Sequence, residues 1–434
     1  MTTNQEKGSQ MDNRTEVLIV GAGVGGLSLA LALHERGIAC RIIEAASHLE
    51  EIGAGINLQP HAVEVLDALG LGAYLSASAA PIAELRFFSR HGQLIHSQPR
   101  GTRASYPHPQ YAVHRARLQT ILIEAVRARL GKSRLELGVR CLDFTEEGDG
   151  VSVITGHVNG GRELRTVRAL VGCDGIHSRV RALLHIGDDS PRYSGVTMWR
   201  GVGRASAFQN GSTMILAGAL NVGKMVIYPL EPYRGAGDQL VNWVAEKRVE
   251  FMSRQDWNAH GDATELAWVD RDWGIPEIDV PSLVHQTARI LRYPMVDKDP
   301  LPFWSRGRVT LLGDAAHPMY PFGSNGACQA ILDAAVLAEC LDDAEADAPA
   351  ALINYEHRRL PATREIVLLN RECAPDAILD VVENRSGGLR FPDIEAVMTH
   401  NERVSLLSRY ARVSGVSPST LAHGESSGHS SVHG

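Results

Sequence analysis

What this chain does without narrows its function before any motif is considered. Its six cysteines, Cys40, Cys141, Cys173, Cys328, Cys340 and Cys373, contain no C-x-x-C pair. Neither a zinc site nor a disulfide framework is indicated, and the thiols read as reduced and mostly buried. No apolar run approaches the roughly 20 residues that a membrane-spanning helix needs. The opening MTTNQEKGSQMDNRTE has no apolar core and reads as a disordered leader rather than a secretion signal. Charge of one sign is not concentrated anywhere: the net charge is −7 with Lys and Arg dispersed, which argues against nucleic acid and against an anionic membrane as partners. Internal repeats are absent as well. The cytoplasm is the expected location.

What is present is the composition of an ordinary globular protein, 44% hydrophobic and 21% charged over 434 residues. At roughly 100–200 residues per domain this length suggests two or three folding units, and alternating helix and strand patterns argue for an α/β architecture. Val17 to Val20, a helix from about Gly25 to Arg36 and Cys40 to Glu44 form one βαβ unit, half of a parallel sheet. An amphipathic helix begins near His61, another covers Arg115 to Gly131, and VSVITGHVNGGRELRTVRALVGCDG reads as a hairpin feeding a strand that ends at Cys173.

From about Ser190 to Pro294 helical periodicity fades and short β-like runs such as TMILAGAL and KMVIYPL take over. The expected layout is a Rossmann-like nucleotide-binding domain from residues 15–78, 113–189 and 295–375, with a discontinuous, sheet-rich second domain from residues 79–112 and 190–294. A strand at Val309 to Leu312, a helix from about Asn325 to Leu341 and one from Leu352 to Asn370, broken or kinked at Pro361, complete the first domain. Residues 376–420 read as a C-terminal helical segment. Residues 1–14 and 421–434 read as disordered ends.

Three motifs carry chemistry. In GAGVGG, Gly21 permits a tight turn, Gly23 lets the backbone approach a pyrophosphate, and Gly26 lets helix and strand pack closely. The helix N-terminus then faces the negative charge. Glu44 ends the second strand, where its carboxylate can accept hydrogen bonds from a ribose diol, which favours FAD or NAD over NADP. No second glycine fingerprint occurs, so the single one is assigned to a resident FAD, and any nicotinamide must visit. Asp174-Gly175 follows the strand ALVGC; alone, it is mostly a turn signal. Asp314 follows the strand RVTLLG, where it either caps the next helix or bonds a sugar hydroxyl.

The order of GAGVGG at Gly21, CDGIHSRVR around Asp174 and GRVTLLGDAAHPMYP around Asp314 resembles the single-component FAD-dependent aromatic hydroxylases, the para-hydroxybenzoate hydroxylase-like flavoprotein monooxygenases. The similarity spans most of residues 15 to 375. It implies that the first motif, with Glu44 and Ala45, binds the ADP portion of FAD. The Asp-Gly motif at Asp174 would serve flavin and nicotinamide, and Asp314 would contact the ribityl chain. It also implies that Arg115 lies against FAD, and that Gly53 to Ile56, with Gly55, and the segment holding Gly326 and Ala327 lie beside the flavin ring. One departure stands out: PFGSNGACQ replaces the Gly-Gln-Gly or Gly-Leu-Gly stretch of many members. This version and MWRG at Met198 to Gly201 look more like the phenazine monooxygenase branch.

The resemblance implies an NADPH- or NADH-dependent monooxygenase that transfers oxygen from a flavin C4a-hydroperoxide to an aromatic or heteroaromatic ring, with or without a carboxylate. Its partners would be that small molecule and molecular oxygen, with the chain acting as a monomer or homodimer. No residue is singled out as a catalytic base and no metal is expected. Trp199, Tyr228, Pro321 and Phe322 are candidates for an aromatic pocket, although aromatic residues in a sheet-rich domain are more often core. Arg200 either pairs with a substrate carboxylate or forms a surface salt bridge. His317 is either a proton relay or a structural histidine. A flavin oxidase or dehydrogenase of the same fold, or a non-catalytic FAD-binding sensor, would use the same FAD residues.

Overall fold

The computed structural model describes residues 16–49, 54–187, 190–235, 237–249, 260–270, 273–343, 347–372 and 376–413. Val17–Val20, Cys40–Glu44, Leu135–Leu137, Ala169–Gly172 and Val309–Leu311 form a five-stranded, wholly parallel sheet. Val17–Val20 sits at its centre, between Ala169–Gly172 and Cys40–Glu44. Its residues are at most 5% exposed, as expected of a strand covered on both faces.

Helices Val24–Glu35, Arg115–Arg129, Asn325–Asp343 and Ala348–Glu372 pack around this sheet through one continuous apolar core. The glycine-turn helix Val24–Glu35 packs on both Arg115–Arg129 and Asn325–Asp343. Ala348–Glu372 runs through Pro361 as a single helix, so of the break or kink that the sequence suggests there, the break does not occur. Its face survives because packing of the buried Tyr355, Thr363 and Ile366 outweighs one lost backbone hydrogen bond.

The second layer is a seven-stranded sheet in the order Leu291–Asp297, Arg192–Ser206, Asp238–Arg248, Gly223–Pro229, Thr213–Ala219, Glu84–Phe88, Leu94–Pro99. Strands from either side of the Arg115–Arg129 helix thus meet in one sheet, through the parallel pairing of Thr213–Ala219 with Glu84–Phe88. A separate three-stranded sheet joins Gly55–Leu58, Gln110–His114 and Ala80–Ile82. Ala80–Ile82 therefore pairs with Gln110–His114 rather than with the large sheet. The hairpin expected before Cys173 is present as Gly150–His157 against Arg162–Val167.

One face of the large sheet packs an aromatic-rich core around Trp199, Phe208 and Trp243. The other face carries a second apolar cluster that includes Met198, Tyr228 and Val244, together with Ile378, Leu379 and Val382 of the C-terminal segment. The cavity described next opens between that second face and the parallel sheet. Among the described residues no helix is long and apolar enough to cross a membrane.

Candidate active site at the junction of the two sheets

A cavity of about 700 Å³ runs from the glycine turn to the large sheet. Its first wall is built by the GAGVGG segment. Gly21 has φ +108° and packs so closely on the Cys173 carbonyl that a Cβ would collide with it; a Cβ on Gly26 would strike the Gly21 carbonyl. A Cβ on Gly23 would meet nothing within 4 Å, and the residue faces the cavity together with Val24 and Gly25. The first-turn amides of Val24–Glu35 are left for a ligand, with the positive end of the helix dipole behind them. The Glu44 carboxylate accepts from the amides of Ala22 and Ala46, both at 2.8 Å. It ties the glycine turn to the second strand at the rim, where Ala45 is exposed.

The second wall comes from two loops locked to each other. The Asp174 carboxylate accepts from Ser178 Oγ at 2.5 Å and from the amides of Arg179 at 2.7 Å and Val180 at 3.4 Å. Burial raises its pKa and these hydrogen bonds oppose the rise. Asp174 thus organises its own loop and the start of Arg179–Leu184; Gly175, not Asp174, lines the cavity. From that short helix the fully buried Arg181 donates to the carbonyls of Ala315 at 3.1 Å and Ala316 at 3.0 Å. The same loop is held from below by Asp333, itself fully buried. It accepts from the Gly313 amide at 3.2 Å and Arg359 Nε at 2.7 Å, and bonds His317 Nε2 at 2.6 Å. Burial would raise the Asp333 pKa, but His317 and Arg359 hold it below the usual carboxylate range. His317 is thereby a buried structural partner of Asp333, stacked near Trp304 with ring centroids 5.3 Å apart.

Asp314 and Arg115 face the cavity from these walls and are both exposed. Neither side chain has a hydrogen bond or ion pair among the described residues. The third wall is Pro321 to Ala327, which enters the helix Asn325–Asp343 with Gly326 and Ala327 in its first turn. Gln59 Nε2 supports it by donating to the Gly323 carbonyl at 3.1 Å. Gly55 joins both halves of the molecule. Its amide donates to Asn242 Oδ1 at 2.6 Å, its carbonyl accepts from Arg200 Nη2 at 2.9 Å, and a Cβ there would lie 2.6 Å from Tyr228 and Leu230. Gly53 lies outside the described residues.

The far wall belongs to the large sheet. Met198, Arg200, Tyr228, Val226 and Val244 point into the cavity, with Phe322 across from them. Strand alternation decides the fate of Trp199. Its neighbours face the cavity, so it must face the opposite core, where its indole donates to Glu265 Oε2 at 2.6 Å. The expectation of Trp199 in the pocket is corrected accordingly. Arg200 is no surface residue: it bonds Gly55 and Tyr228 inside the cavity. Burial pushes the Tyr228 hydroxyl up and Arg200 pulls it back.

Sequence inspection also missed a buried ionic group on this wall. Lys224 Nζ pairs with Glu246 at 2.5 Å and with Asp376, and lies 5.0 Å from the Phe322 ring centroid. Burial raises the Glu246 pKa, against the pull of Lys224. A lysine in KMVIYPL carries no signal of this role, because only cross-strand register with Glu246 and docking of the segment that holds Asp376 create it. Asn242, Arg181 and Arg359 were missed for the same reason.

The flavin half suits a long dinucleotide with a polar ring edge. Asn57 Oδ1 and Gln59 Oε1 are buried without a hydrogen-bond partner beside the cavity, and such atoms are costly unless a ligand satisfies them. The family model described as FAD binding domain matches residues 14–369. The chain belongs to that FAD-binding family. Phenazine 1,6-dicarboxylic acid hydroxylase PhzS of Lysobacter antibioticus is 42% identical, covering 83% of this chain and 90% of the relative. 3-Hydroxybenzoate 6-hydroxylase of Polaromonas naphthalenivorans (strain CJ2) is 33% identical, covering 82% and 86%. Klebsiella pneumoniae HpxO, solved with FAD and uric acid, shares the fold with a TM-score of 0.67 and 24% identity over 94% of this chain and 95% of that one. The protein is an FAD-dependent aromatic monooxygenase, as its three motifs imply, and belongs to the phenazine-monooxygenase-like branch that PFGSNGACQ and MWRG suggest. In the monooxygenase, the three motif walls would hold FAD, and the large sheet forms the remaining wall.

Proposed function

We propose that the enzyme hydroxylates a planar, carboxylated (hetero)aromatic compound of the phenazine kind, with NADH or NADPH as transient reductant. The observation that carries this reading is the cavity itself, whose flavin walls end against an apolar, aromatic surface of the large sheet. The 42% identity to a phenazine dicarboxylate hydroxylase supports the substrate class. FAD, when bound, supplies the reduction and oxygen-transfer chemistry. The chain's own residues do the rest. Gly23 to Gly25 and Glu44 would bind the ADP portion, Arg115 and Asp314 the linking region, and the first-turn amides at Gly326 and Ala327 would stabilise negative charge at the ring edge. Met198, Val226, Val244 and Phe322 would sandwich the substrate ring and keep water away. The Tyr228 hydroxyl, held by Arg200, would orient the substrate's reacting edge.

The two-domain division expected from the sequence is retained in this proposal, supported by the separate cores beneath the parallel sheet and the large sheet. A cytoplasmic location is supported by free thiols at five described cysteines. The test is NADH and NADPH oxidation by the flavin-loaded enzyme, with hydrogen peroxide quantified, across phenazine, quinoline and phenolic carboxylates. The expected result is acceleration by a ring carboxylate with oxygen recovered in the product. Flavin reduction by the ring compound without any nicotinamide would overturn the nicotinamide-dependent reading.

A further inference from the structure

Resting on that substrate reading, we propose that Arg100 is the anion anchor of the substrate half, the residue that selects a ring bearing a carboxylate. The charges lining this half of the cavity are Arg100, Arg200, Lys224, Glu246 and Asp376. Four of them balance. Lys224 pairs with Glu246 and Asp376, and Arg200 lies close enough to stabilise the Glu246 carboxylate. Arg100 has no carboxylate partner among the described residues. Its guanidinium donates from Nη2 to the neutral Gln98 Oε1 at 3.1 Å, and its Nε is buried without an acceptor. Arg100 is half-buried, and a guanidinium edge held out of water without an acceptor costs free energy unless an anion arrives. Burial pushes its pKa down to about 10, so it still carries its charge at neutral pH.

Nearby groups do not supply the missing charge. His96 is held neutral, its pKa pushed down to about 4 by burial and by Arg403, His400 and Arg100, and Arg403 is itself paired with Glu395 at 2.5 Å. Tyr106, buried beside Arg100 and also lining the cavity, is a neutral phenol whose pKa burial raises. The mount is rigid. The Arg100 amide donates to the Ala83 carbonyl at 2.9 Å, and the turn Gly101–Ala104 that follows is closed by the Tyr106 amide on the Gly101 carbonyl at 3.3 Å. A planar guanidinium on a fixed turn can bond a carboxylate through two parallel N–H donors, which a flexible ammonium cannot match. Arg200, the sequence-level candidate for this role, is committed to Gly55, Tyr228 and the Glu246 side.

The test titrates phenazine-1-carboxylate and its uncharged amide into the FAD-loaded enzyme, reading the flavin difference spectrum, and then measures KM and kcat for both. Wild type, Arg100→Gln and Arg100→Lys are compared. The anchor requires Arg100→Gln to weaken carboxylate binding by about 10- to 100-fold, the loss expected for a charge-assisted hydrogen-bond pair, and to leave amide binding within about twofold. Arg100→Lys should recover part of the loss, and equal flavin content in all three proteins shows that each is folded. An equal loss for both ligands, or no loss for the carboxylate, overturns the anchor while turnover keeps the substrate reading. Arg100-dependent carboxylate binding without product formation keeps the anchor and removes phenazine carboxylates as the substrate class.

Discussion

At the residue scale, the walls proposed to hold the flavin depend on polar groups whose partners are fixed by position. Asp314 is exposed to the cavity with no competing hydrogen bond among the described residues, so its removal should affect ligand rather than fold. Asp314→Ala is expected to raise the FAD dissociation constant of the apoenzyme about tenfold or more, the worth of a hydrogen bond to a charged group. Fluorescence titration measures it, and an unchanged constant would remove Asp314 from the FAD site. His61 makes a different kind of prediction. It is 8% exposed, its Nε2 has no partner, and burial followed by Arg359 lowers its pKa from 6.5 to about 4. The unfolded chain therefore binds a proton near pH 6.5 that the native state refuses until about pH 4. Stability from this group is complete above pH 6.5 and is lost as pH falls across that window, by up to ~1.4 kcal/mol per pH unit. Denaturant unfolding from pH 7 to 4 should show a shallower decline in His61→Gln than in wild type.

At the scale of elements, the loop bearing Asp314 is shaped by neighbours rather than by its own sequence. The helix Arg179–Leu184 reaches it through Arg181, which also donates to the Asp299 carbonyl at 3.3 Å. Arg181→Met keeps the apolar stem but strips carbonyls of Asp299, Ala315 and Ala316 of a donor. Each buried acceptor left without one costs ~1–3 kcal/mol. We expect a loss of ~3 kcal/mol or more in unfolding free energy and weaker FAD retention, while Arg181→Lys restores part of both. Normal flavin occupancy and an unchanged denaturation midpoint in Arg181→Met would show that the loop holds itself.

At the scale of the whole molecule, Lys224 links the large sheet to the C-terminal segment, because Asp376 comes from that segment and Glu246 from the sheet. Removing one member of such a buried group leaves like charges together and typically costs ~3–5 kcal/mol. Lys224→Met is expected to release residues 376–413 from the cavity wall before the parallel-sheet half loosens. Limited proteolysis should then cut this segment while the protein stays yellow. Simultaneous loss of flavin and segment would mean the two halves unfold as one unit.

The amino-acid sequence alone determined the parallel-sheet half and its ligand. The reason is locality. The strand, turn and helix around Gly21, the acid at Glu44 and the Gly313–Asp314 turn each write their geometry into a short stretch, so spacing suffices to read them. Tertiary structure decided the rest. Trp199 and Arg200 are adjacent in sequence, yet the pleat sends one into an aromatic core and the other to Tyr228 and Gly55. Lys224, Glu246 and Asp376 become one ionic group only when three separate segments meet. Arg100 stands out only after every other charge on its wall has found its partner. Such pairings depend on which segments pack together, a long-range property that the local pattern of side chains does not contain.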